Sequence, residues 1–496
     1  MMTSTVLAAF AWWAFLICAV YLVALTVLLL AMLVVAVREN RLRADEARLD
    51  DFATVRHSPF TIPVSIIAPA YNEEACISAS ISSLLALDYP EYEVIVVNDG
   101  SRDGTFQELR RRFELEPVEV YPADSLPTSE IRQVYRSRQH PRLTVVDKDN
   151  GGKADALNCG VNLARFRYVC CVDADTVYYP HALLSGMRHI VQDPQHVVGV
   201  TSQIALSRHP ERTPRTERLR IDRHPMLVFQ TFDYLRAFAA ARLAWSRWNY
   251  MLCSVGAFAI WRRDIVSELG GFSTSFTCED IEFTFRVHEH FRSTGTPYAV
   301  LSLTDIVGVT EGPQSVGSLV SQRARWQRVI AETVWRYRRM FWNPTYGAVG
   351  FAGMTYYVVA EVLAPLFQIL AIVAVPAGAV AGVIAWPDFW RVLATVAIVN
   401  GMFTIAAMLL QQRAFKTFSA ADLRYMIALG PLELLLYRPF IMFAQVKGTI
   451  DFLLRDRRWN KFERNPRGGV FSPVSASRGL GLLEQRSLPE NALPLQ

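Results

Sequence analysis

The stretch Tyr168–Thr176 reads YVCCVDADT and joins an apolar, β-branched run to an abrupt acidic end. A short apolar run of this kind is typical of a strand buried inside a sheet. Asp173 and Asp175 follow it directly. Side chains at positions i and i+2 of an extended segment point the same way, so both carboxylates can address one hard cation. A solvated turn with the same D-x-D pattern is the alternative.

The same pattern recurs between Pro63 and about Val309. Four further apolar runs end in turn or acidic residues: VSIIAPA, EVIVVND, LTVVDKD and VVGVTSQ. The stretches EEACISASISSLLAL, GTFQELRRRFEL and KADALNCGVNLA lie between strands and are typical of helices. This alternation predicts an α/β fold with a mostly parallel, helix-covered sheet. Because such sheets bind ligands at the carboxyl ends of their strands, we expect the acidic residues to gather in one crevice.

Two stretches interrupt the alternation. Residues 116–142 are polar and dotted with prolines, which favours a surface loop. Residues 207–248 are rich in arginine and aromatic side chains, which predicts an amphipathic helix or helix pair at the bilayer interface.

The composition indicates a membrane part beside the α/β part, since 51% of the 496 residues are hydrophobic and the mean hydropathy is +0.18. Val6–Val37 is a run of 32 residues without a charge, enough for one spanning helix. A cluster of arginines follows, so the positive-inside rule places residue 38 onward in the cytoplasm. Seven cysteines without metal spacing predict no disulfide framework or zinc site, and favour a reducing compartment.

Three more apolar blocks follow residue 347: 348–386, 392–410 and 426–454. The last block contains four charged residues: Glu433, Arg438, Lys447 and Asp451. We interpret it as an interfacial or re-entrant segment, which keeps the basic tail in the cytoplasm; two short passes are the alternative. The predicted division is a transmembrane helix (1–37), a linker (38–62), a catalytic domain (63–312, with the insertion 207–248), interfacial helices (313–346), membrane segments (347–454) and a disordered tail (455–496).

Three motifs in the α/β part carry charged residues. DNGGKADALN is typical of a glycine-flanked loop that opens a helix, where backbone amides and Lys153 favour an anion. The acidic pair Glu279 and Asp280 in FTCEDIEF could accept a proton from an attacking hydroxyl group. Each has a plainer alternative: a surface lysine near a helix cap, and an acidic first turn favoured by the helix dipole.

Two strand ends, VVNDGSRDGT with Asp99 and PAYNEE at residues 69–74, also point toward the predicted crevice. Both are good turn or helix-cap sequences whatever the function.

The segment Ser318–Trp342 carries six arginines and three tryptophans just before the chain becomes apolar. Its apolar residues recur every three or four positions, so it predicts an amphipathic helix at anionic lipid. That interpretation leaves Gln322, Arg325 and Trp326 unexplained. Arginine binds phosphate oxygens through its planar fork, and tryptophan offers a flat face to a sugar or base.

In order and spacing these motifs resemble the membrane-embedded family 2 glycosyltransferases: the cellulose, chitin, hyaluronan and poly-N-acetylglucosamine synthases. The resemblance covers residues 63–341, and NGGKADALN, GAFAIWRR and QRARW bring it nearest to the poly-N-acetylglucosamine branch. It implies a GT-A type nucleotide-sugar-binding domain. It also implies inverting, metal-dependent transfer from a UDP-sugar, UDP-N-acetylglucosamine or UDP-glucose, to the non-reducing end of a growing β-linked polysaccharide.

The family pattern implies a role for each matching position. Asp280 would be the catalytic base, and Asp173 with Asp175 would hold Mg²⁺ or Mn²⁺. The nucleotide-sugar pocket would comprise Ala70, Tyr71, Glu73, Asp99, Lys153, Asp173, Gln322, Arg325 and Trp326. Gly256, Glu279 and Trp326 would contact the acceptor.

The resemblance also implies a multi-pass protein of the cell membrane whose catalytic domain faces the cytoplasm. Its partners would be the UDP-sugar, a polysaccharide or glycolipid acceptor and the lipid bilayer, and we expect no nucleic acid; the residues do not indicate whether other subunits take part.

The sequence departs from the family pattern at Cys278, where Thr or Gly is usual, in the long insertion and in the polar last apolar block. Two further hypotheses therefore stay open: a non-processive enzyme that adds one sugar to a lipid or short acceptor, and an inactive scaffold or transporter. The intact acidic and basic motif residues argue against the last.

Overall fold

The computed structural model describes residues 2–49, 61–121, 123, 125–207, 219, 221–380, 382–415 and 417–455. The predicted tail after residue 455, residues 50–60 of the predicted linker and residues 208–218 and 220 of the insertion lie outside the described residues.

A central sheet organises the part of the chain predicted to be catalytic. In the described residues its ten strands are β1 Val64–Ala70, β2 Tyr92–Asp99, β3 Leu115–Val118, β4 Ile131–Ser137, β5 Leu143–Lys148, β6 Tyr168–Val172, β7 Val177–Tyr178, β8 Val197–Leu206, β9 Phe258–Arg262 and β10 Ala299–Thr310. Their order across the sheet is β3-β4-β5-β2-β1-β6-β9-β8-β10-β7.

The middle of the sheet is parallel, as the sequence predicts. β1 pairs in parallel with β2 on one side and with β6 on the other, and β2 pairs in parallel with β5. The predicted α/β class is confirmed, with antiparallel pairs at β9 and at the outer strands. β1, β2 and β6 run the same way, so their last residues lie together along the carboxyl edge of the sheet. These residues are Ala70, Asp99 and Val172.

Helices cover both faces of the sheet. The helices on the sheet are α2 Ile77–Leu85, α3 Thr105–Phe113, α4 Lys153–Leu163, α5 Ala182–Gln192, α8 Arg263–Glu268 and α9 Glu279–Thr294. α2, α3 and α5 pack on one face, while α4, α8 and α9 pack on the other. A Cβ at Gly160 would lie 2.2 Å from an Ile67 side-chain carbon. The missing side chain therefore lets α4 lie directly on β1, which fixes where Lys153 begins the helix.

The prediction of a surface loop over residues 116–142 is wrong at its two ends, although the described residues between the two strands there are irregular. β3 and β4 form an antiparallel pair there, and β4 continues the sheet beside β5. Val134 is buried, and the ring of Tyr135 packs 5.2 Å from that of Phe106. The segment is polar because it lies at the edge of the sheet, where side chains remain solvated.

The described part of the insertion is helical: α6 Pro225–Leu235, a π-helix Arg236–Arg242 and α7 Leu243–Arg247. It packs against β8 and β10 on one side and against the membrane helices on the other. Most of its side chains are buried, so it forms an internal layer between the sheet and the membrane helices. The sequence predicts an amphipathic helix or helix pair at the bilayer interface: the helices are present, but protein covers most of their side chains.

Among the described residues, three helical stretches are long and apolar enough to cross a membrane: Ala8–Leu42, Val349–Val380 and Trp386–Arg413. The first lies in α1 Met2–Leu49. The second contains π-helices Val349–Gly353 and Tyr357–Val362 around α11 Met354–Tyr356, followed by α12 Ala364–Val380; the third lies in α13 Trp386–Phe415.

The last apolar block is bent. α14 Ala420–Leu429, a 3-10 turn Gly430–Leu432 and α15 Glu433–Leu436 form one arm, and α16 Arg438–Leu453 forms the other, at 47°. The bend falls between Glu433 and Arg438, two of the four charged residues in this otherwise apolar block. A broken span and a re-entrant segment both have this shape.

The arginine-rich segment forms α10 Val316–Arg336, which starts at Ser315, whose hydroxyl oxygen accepts from the Ser318 amide at 3.1 Å. α10 packs closely along α16. A Cβ at Gly448 would lie 2.3 Å from the Ala324 carbonyl oxygen, so the two helix backbones touch. α10 is therefore held by protein on this side rather than lying only on lipid.

Candidate active site

Four charged side chains meet at the carboxyl edge of the sheet. Asp173 follows β6, Lys153 begins α4, and Glu279 and Asp280 begin α9. The Lys153 ammonium group donates to Asp173 Oδ1 at 2.7 Å and lies 3.0 Å from Glu279 Oε1. The crevice expected from the strand pattern therefore holds three of the predicted carboxylates around one lysine.

Backbone amides orient the Asp280 carboxylate. The Gly256 amide donates to Oδ2 and the Ile281 amide donates to Oδ1, each at 2.9 Å. A Cβ at Gly256 would stand 2.9 Å from Asp280 Oδ2 and 3.2 Å from Lys153 Nζ. Glycine is thus the residue that lets the loop before β9 approach both charged groups.

Burial and neighbouring carboxylates raise the pKa of two carboxyl groups in the cluster. Burial, helped by the neighbouring Asp175, raises the pKa of Asp173 to about 6 although Lys153 opposes it. Burial and the Glu279 carboxylate raise the pKa of Asp280, again against Lys153. The same carboxylates hold the pKa of Lys153 well above its usual value even though burial alone lowers it. The cluster is short of positive charge, which suits it to a cation or a cationic transition state.

Asp173 and Asp175 offer some, but not all, of the oxygen ligands that a hard cation needs. Carboxylate oxygens are the ligands that Mg²⁺ and Mn²⁺ prefer. In this structure Lys153 stands beside Asp173, where a cation would bind. Within the described residues no group of three or more His, Cys, Asp or Glu side chains could hold a metal, so a bound ion would take its other ligands from substrate and water.

The D-x-D loop is fixed by Tyr178, which the sequence alone did not single out. Its hydroxyl oxygen accepts from the Asp173 amide at 3.0 Å and its proton goes to the Ala257 carbonyl at 2.7 Å. The residue is buried. Tyr178 thereby joins the D-x-D loop to the loop that carries Gly256, a contact 79 residues apart in sequence that no local pattern indicates.

Asp99 binds the loop after β5. The Lys148 ammonium and the Gly151 amide donate to Oδ1 at 2.7 and 2.9 Å, while the Asn150 side chain and the Gly152 amide donate to Oδ2 at 3.0 and 2.8 Å. Both carboxylate oxygens are therefore engaged within the protein. We name Asp99, Lys148 and Asn150–Gly152 the loop bracket.

Lys148 is the second residue that sequence reasoning missed. It is fully buried, and its ammonium lies 2.7 Å from Asp99 and 2.5 Å from Asp155. A lysine inside the run LTVVDKD is the one sequence signal that could have identified it. Gly152 closes the bracket at φ +90°, a region that L side chains rarely adopt, and Lys153 follows it directly.

The PAYNEE corner is cross-linked to the loop after β2. Asn72 adopts a φ of 54°, its amide donates to Ser101 Oγ at 3.0 Å, and its side-chain oxygen accepts from the Arg102 amide at 2.8 Å. The Glu73 amide donates to Thr105 Oγ1 at 2.7 Å. α2 begins later, at Ile77, whose amide donates to the Glu73 carbonyl at 2.9 Å. The helix has no side-chain cap, so the contacts of Asn72 serve to join two loops. Ala70 and Tyr71 stand at this corner, beside the ends of β2 and β6.

α10 approaches the site from the membrane side. Arg325 lies near enough to Cys278 to oppose the effect of burial, which raises the pKa of that thiol to about 12. Arg328 donates to Thr277 Oγ1. Trp326 packs half-buried against the core cluster that includes α9. α10 therefore docks on the loop that leads into Glu279 and Asp280 through Arg328, two residues after QRARW.

The predicted site residues fall into two groups. Lys153, Asp173, Gly256, Glu279 and Asp280 are in direct contact. The others lie on neighbouring strand ends or on α10: Ala70, Tyr71, Glu73, Asp99, Asp175, Arg325 and Trp326, with Gln322 half-buried on the same turn of α10.

Comparison with known proteins identifies the family. The model described as "Glycosyl transferase family 2" matches residues 65–270, and the model described as "Glycosyl transferase family group 2" matches residues 168–410. Both models include the strand that precedes Asp173 and Asp175. The second model also includes Glu279 and Asp280.

Curated relatives include the poly-beta-1,6-N-acetyl-D-glucosamine synthases of Staphylococcus epidermidis and Staphylococcus aureus (strain COL). They are 26% and 25% identical over 56% and 53% of this chain. The matches cover 57% and 53% of those proteins, so the chain spans about half the length of the curated relatives it matches.

Among solved structures, the mannosyltransferase PcManGT from Pyrobaculum calidifontis, in complex with GDP-Man and Mn²⁺, aligns with a TM-score of 0.52. It is 19% identical, and the alignment covers 87% of this chain and all of PcManGT. At that identity the likeness concerns the fold, which is that of a GT-A-like glycosyltransferase. Because the two family models together cover residues 65–410, the chain belongs to the family 2 glycosyltransferases.

Proposed function

We propose that this chain moves a sugar from a UDP-sugar to the non-reducing end of a growing β-linked polysaccharide at the membrane, with inversion at the anomeric carbon. One observation above all supports this. The Asp280 carboxylate is oriented by two backbone amides beside Lys153 and Asp173, at the sheet edge where such folds bind ligands. The membrane is the cell membrane, and the catalytic domain lies on its cytoplasmic side.

In this proposal Asp280 is the general base. The acceptor hydroxyl oxygen attacks the anomeric carbon of the donor sugar, and Asp280 takes the hydroxyl proton. A new C–O bond forms as the bond from the anomeric carbon to the diphosphate oxygen breaks, and the nucleoside diphosphate leaves with the bonding electrons. The raised pKa of Asp280 makes its carboxylate a stronger base than an exposed aspartate.

Lys153 and Arg325 would neutralise the departing diphosphate. Asp173 and Asp175 would hold Mg²⁺ or Mn²⁺, which when bound supplies positive charge to the same diphosphate. Lys153 contacts Asp173 in this structure, so the lysine that would meet the diphosphate and a carboxylate that would hold the cation already lie side by side.

The nucleotide would lie at the strand ends near Ala70, Tyr71 and Glu73. Asp99 would serve this pocket through the loop bracket, because its own oxygens are already engaged. Gln322 would border the diphosphate from α10.

The acceptor sugar would rest on the face of Trp326, next to Gly256 and Glu279. Aromatic rings stack on sugars, and this ring lies on the helix that docks beside the proposed base. We propose UDP-N-acetylglucosamine as the donor and UDP-glucose as the second choice, since the staphylococcal relatives are N-acetylglucosamine polymer synthases.

The test is transfer by purified, detergent-solubilised protein with three labelled donors: UDP-N-acetylglucosamine, UDP-glucose and GDP-mannose. We expect long chains from a UDP-sugar, loss of transfer in EDTA and recovery with Mg²⁺ or Mn²⁺. Single-sugar glycolipids would instead support the non-processive alternative. Turnover of GDP-mannose alone would contradict the UDP assignment, and transfer indifferent to EDTA would contradict the metal.

A further inference from the structure

A set of buried and half-buried charged residues joins three parts of the chain. Asp233 and Arg236 come from the insertion helices, Arg323 from α10, and Glu433 and Arg438 from the bend between α15 and α16. We name these five residues the ion cluster. Glu433 and Arg438 are two of the charged residues that make the last apolar block unusual in sequence, and here they face protein rather than lipid.

Short contacts connect the members of the ion cluster. Arg236 lies 2.6 Å from Asp233 Oδ1 and 2.7 Å from Glu433 Oε1, and Arg438 lies 3.0 Å from Glu433 Oε1. The Tyr437 hydroxyl donates to Asp233 Oδ2 at 2.6 Å. Burial alone would raise the pKa of Asp233, but the guanidinium groups of Arg438, Arg236 and Arg323 hold it well below its usual range.

Arg323 connects this cluster to the proposed acceptor residue. Its guanidinium lies 3.4 Å from Asp233 Oδ2 and donates to the Tyr437 hydroxyl at 3.3 Å. The same guanidinium carbon stands 4.4 Å from the centre of the Trp326 ring. Positions i and i+3 of a helix are neighbours, and at this distance a cation is attracted to an indole face.

The helix turn that carries both residues is itself fixed. Gly448 of α16 lies against the Ala324 carbonyl, between Arg323 and Arg325 in sequence. The Arg323 side chain is only 13% exposed, so its position is set by protein contacts rather than by solvent. One face of the Trp326 ring is therefore packed against the Arg323 guanidinium, which cannot move without breaking its contacts with Asp233 and Tyr437.

We propose that Arg323 is a positioning residue for the acceptor: anchored by Asp233 and Tyr437, it sets the plane of the Trp326 ring on which the acceptor sugar rests. This rests on the proposed function, in which Trp326 binds that sugar. Arg323 would act only through Trp326, so it would affect the acceptor and leave the donor site unchanged.

The experiment measures initial rates against the concentration of an added N-acetylglucosamine oligomer and, separately, of UDP-N-acetylglucosamine. We expect Arg323→Gln to raise the acceptor KM about tenfold, in the range that loss of a partly buried cation–π contact allows, with the donor KM within about twofold. Arg323→Lys retains the charge beside Asp233 and should fold even if the glutamine variant does not. We expect it to fall between wild type and Arg323→Gln.

Arg336→Gln is the matched control, because Arg336 is on the same helix and also lies over an aromatic ring, that of Tyr337 at 5.8 Å, but is exposed. Its acceptor KM should equal that of wild type. Equal rises in donor and acceptor KM for the Arg323 variants, or no change in either, would overturn the inference.

Trp326→Ala separates this inference from the proposed function. If Trp326→Ala raises the acceptor KM and the Arg323 variants do not, the positioning role fails and the acceptor role of Trp326 stands. If Trp326→Ala has no effect, or the oligomer does not alter the rate of the wild-type enzyme, the proposed acceptor site itself is wrong and the inference falls with it.

Discussion

At the scale of single residues, the contacts around Asp280 say more about its chemistry than the presence of an aspartate at that position does. An acidic first turn of a helix is favoured by the helix dipole in any protein, so the pair Glu279–Asp280 carries little information alone. The structure adds two backbone donors, a lysine and a second carboxylate around it. Burial and Glu279 raise its pKa, and this gives a prediction in the pH profile.

We expect kcat/KM to rise with pH along an acid limb whose apparent pKa lies above the usual aspartate value of about 3.9. The sign follows because a general base acts as the carboxylate, and a raised pKa means that this form is lost at a higher pH as the solution is acidified. Transfer measured from about pH 4 to about pH 8 tests this. A flat profile across that range would contradict the assignment of Asp280 as the base.

At the scale of elements, loops held by distant partners shape the site. The loop bracket connects β2 to the amino end of α4 through Asp99 and Lys148, which are 49 residues apart. α10 is held by α16 and by the loop before α9. Each element is predictable from its own sequence, but these connections are not, because they depend on which strands lie side by side.

Gly152→Ala should reduce donor affinity. Its φ of +90° strains an alanine by about 1–3 kcal/mol, and relief of that strain would shift the bracket and Lys153 with it. Gly270→Ala is the matched control, since Gly270 has a φ of +80° and, like Gly152, no atom within 4 Å of the position that a Cβ would take. Donor Kd from titration calorimetry should rise for Gly152→Ala and stay at the wild-type value for Gly270→Ala. The same Kd for both variants would show that the bracket does not shape the donor site.

Arg325→Ala should cost most of the transfer activity, while Arg338→Ala should retain it. Burial raises the pKa of Cys278, which directly precedes Glu279, and the charge of Arg325 acts to lower it, whereas Arg338 is exposed and stacks 4.8 Å over Trp335. We expect about a hundredfold loss of kcat for Arg325→Ala, in line with removal of one donor to a developing anion. Equal losses of transfer activity in the two variants would indicate that α10 serves only to anchor the protein to lipid.

At the scale of the whole molecule, the apolar helices define a topology. If the three candidate spans each cross once and the bent pair is re-entrant, the catalytic domain and the basic tail share one side, which the positive-inside rule makes the cytoplasm. If the bent pair crosses as well, the tail moves to the opposite side.

An affinity tag placed after residue 496 tests this. We expect protease to remove it in inside-out vesicles and to leave it intact in spheroplasts, with a tag before Met1 giving the opposite result as the internal control. Digestion of both tags from the same side would show that the bent pair completes a fourth crossing.

The sequence predicted the α/β class and the gathering of acidic strand ends in one crevice, because the carboxyl ends of parallel strands lie along the same edge of a sheet. The roles of Lys153, Glu279 and Asp280 in that crevice were implied by the family resemblance, not by the strand pattern. The sequence missed Lys148, Tyr178 and the ion cluster. Asp233 and Tyr437 are 204 residues apart, and nothing local in either segment specifies the other. It also mistook β4 for a loop, since an edge strand exposes as many polar residues as a loop does.

The role of Asp280 as the base is tested most directly by comparing wild type with Asp280→Asn in one preparation, measuring transfer from labelled UDP-N-acetylglucosamine and donor binding by calorimetry. We predict that transfer falls by about 10²–10⁴-fold while the donor Kd stays within about threefold of wild type. Transfer at the wild-type rate, or a loss of transfer fully explained by a loss of donor binding, would contradict that role.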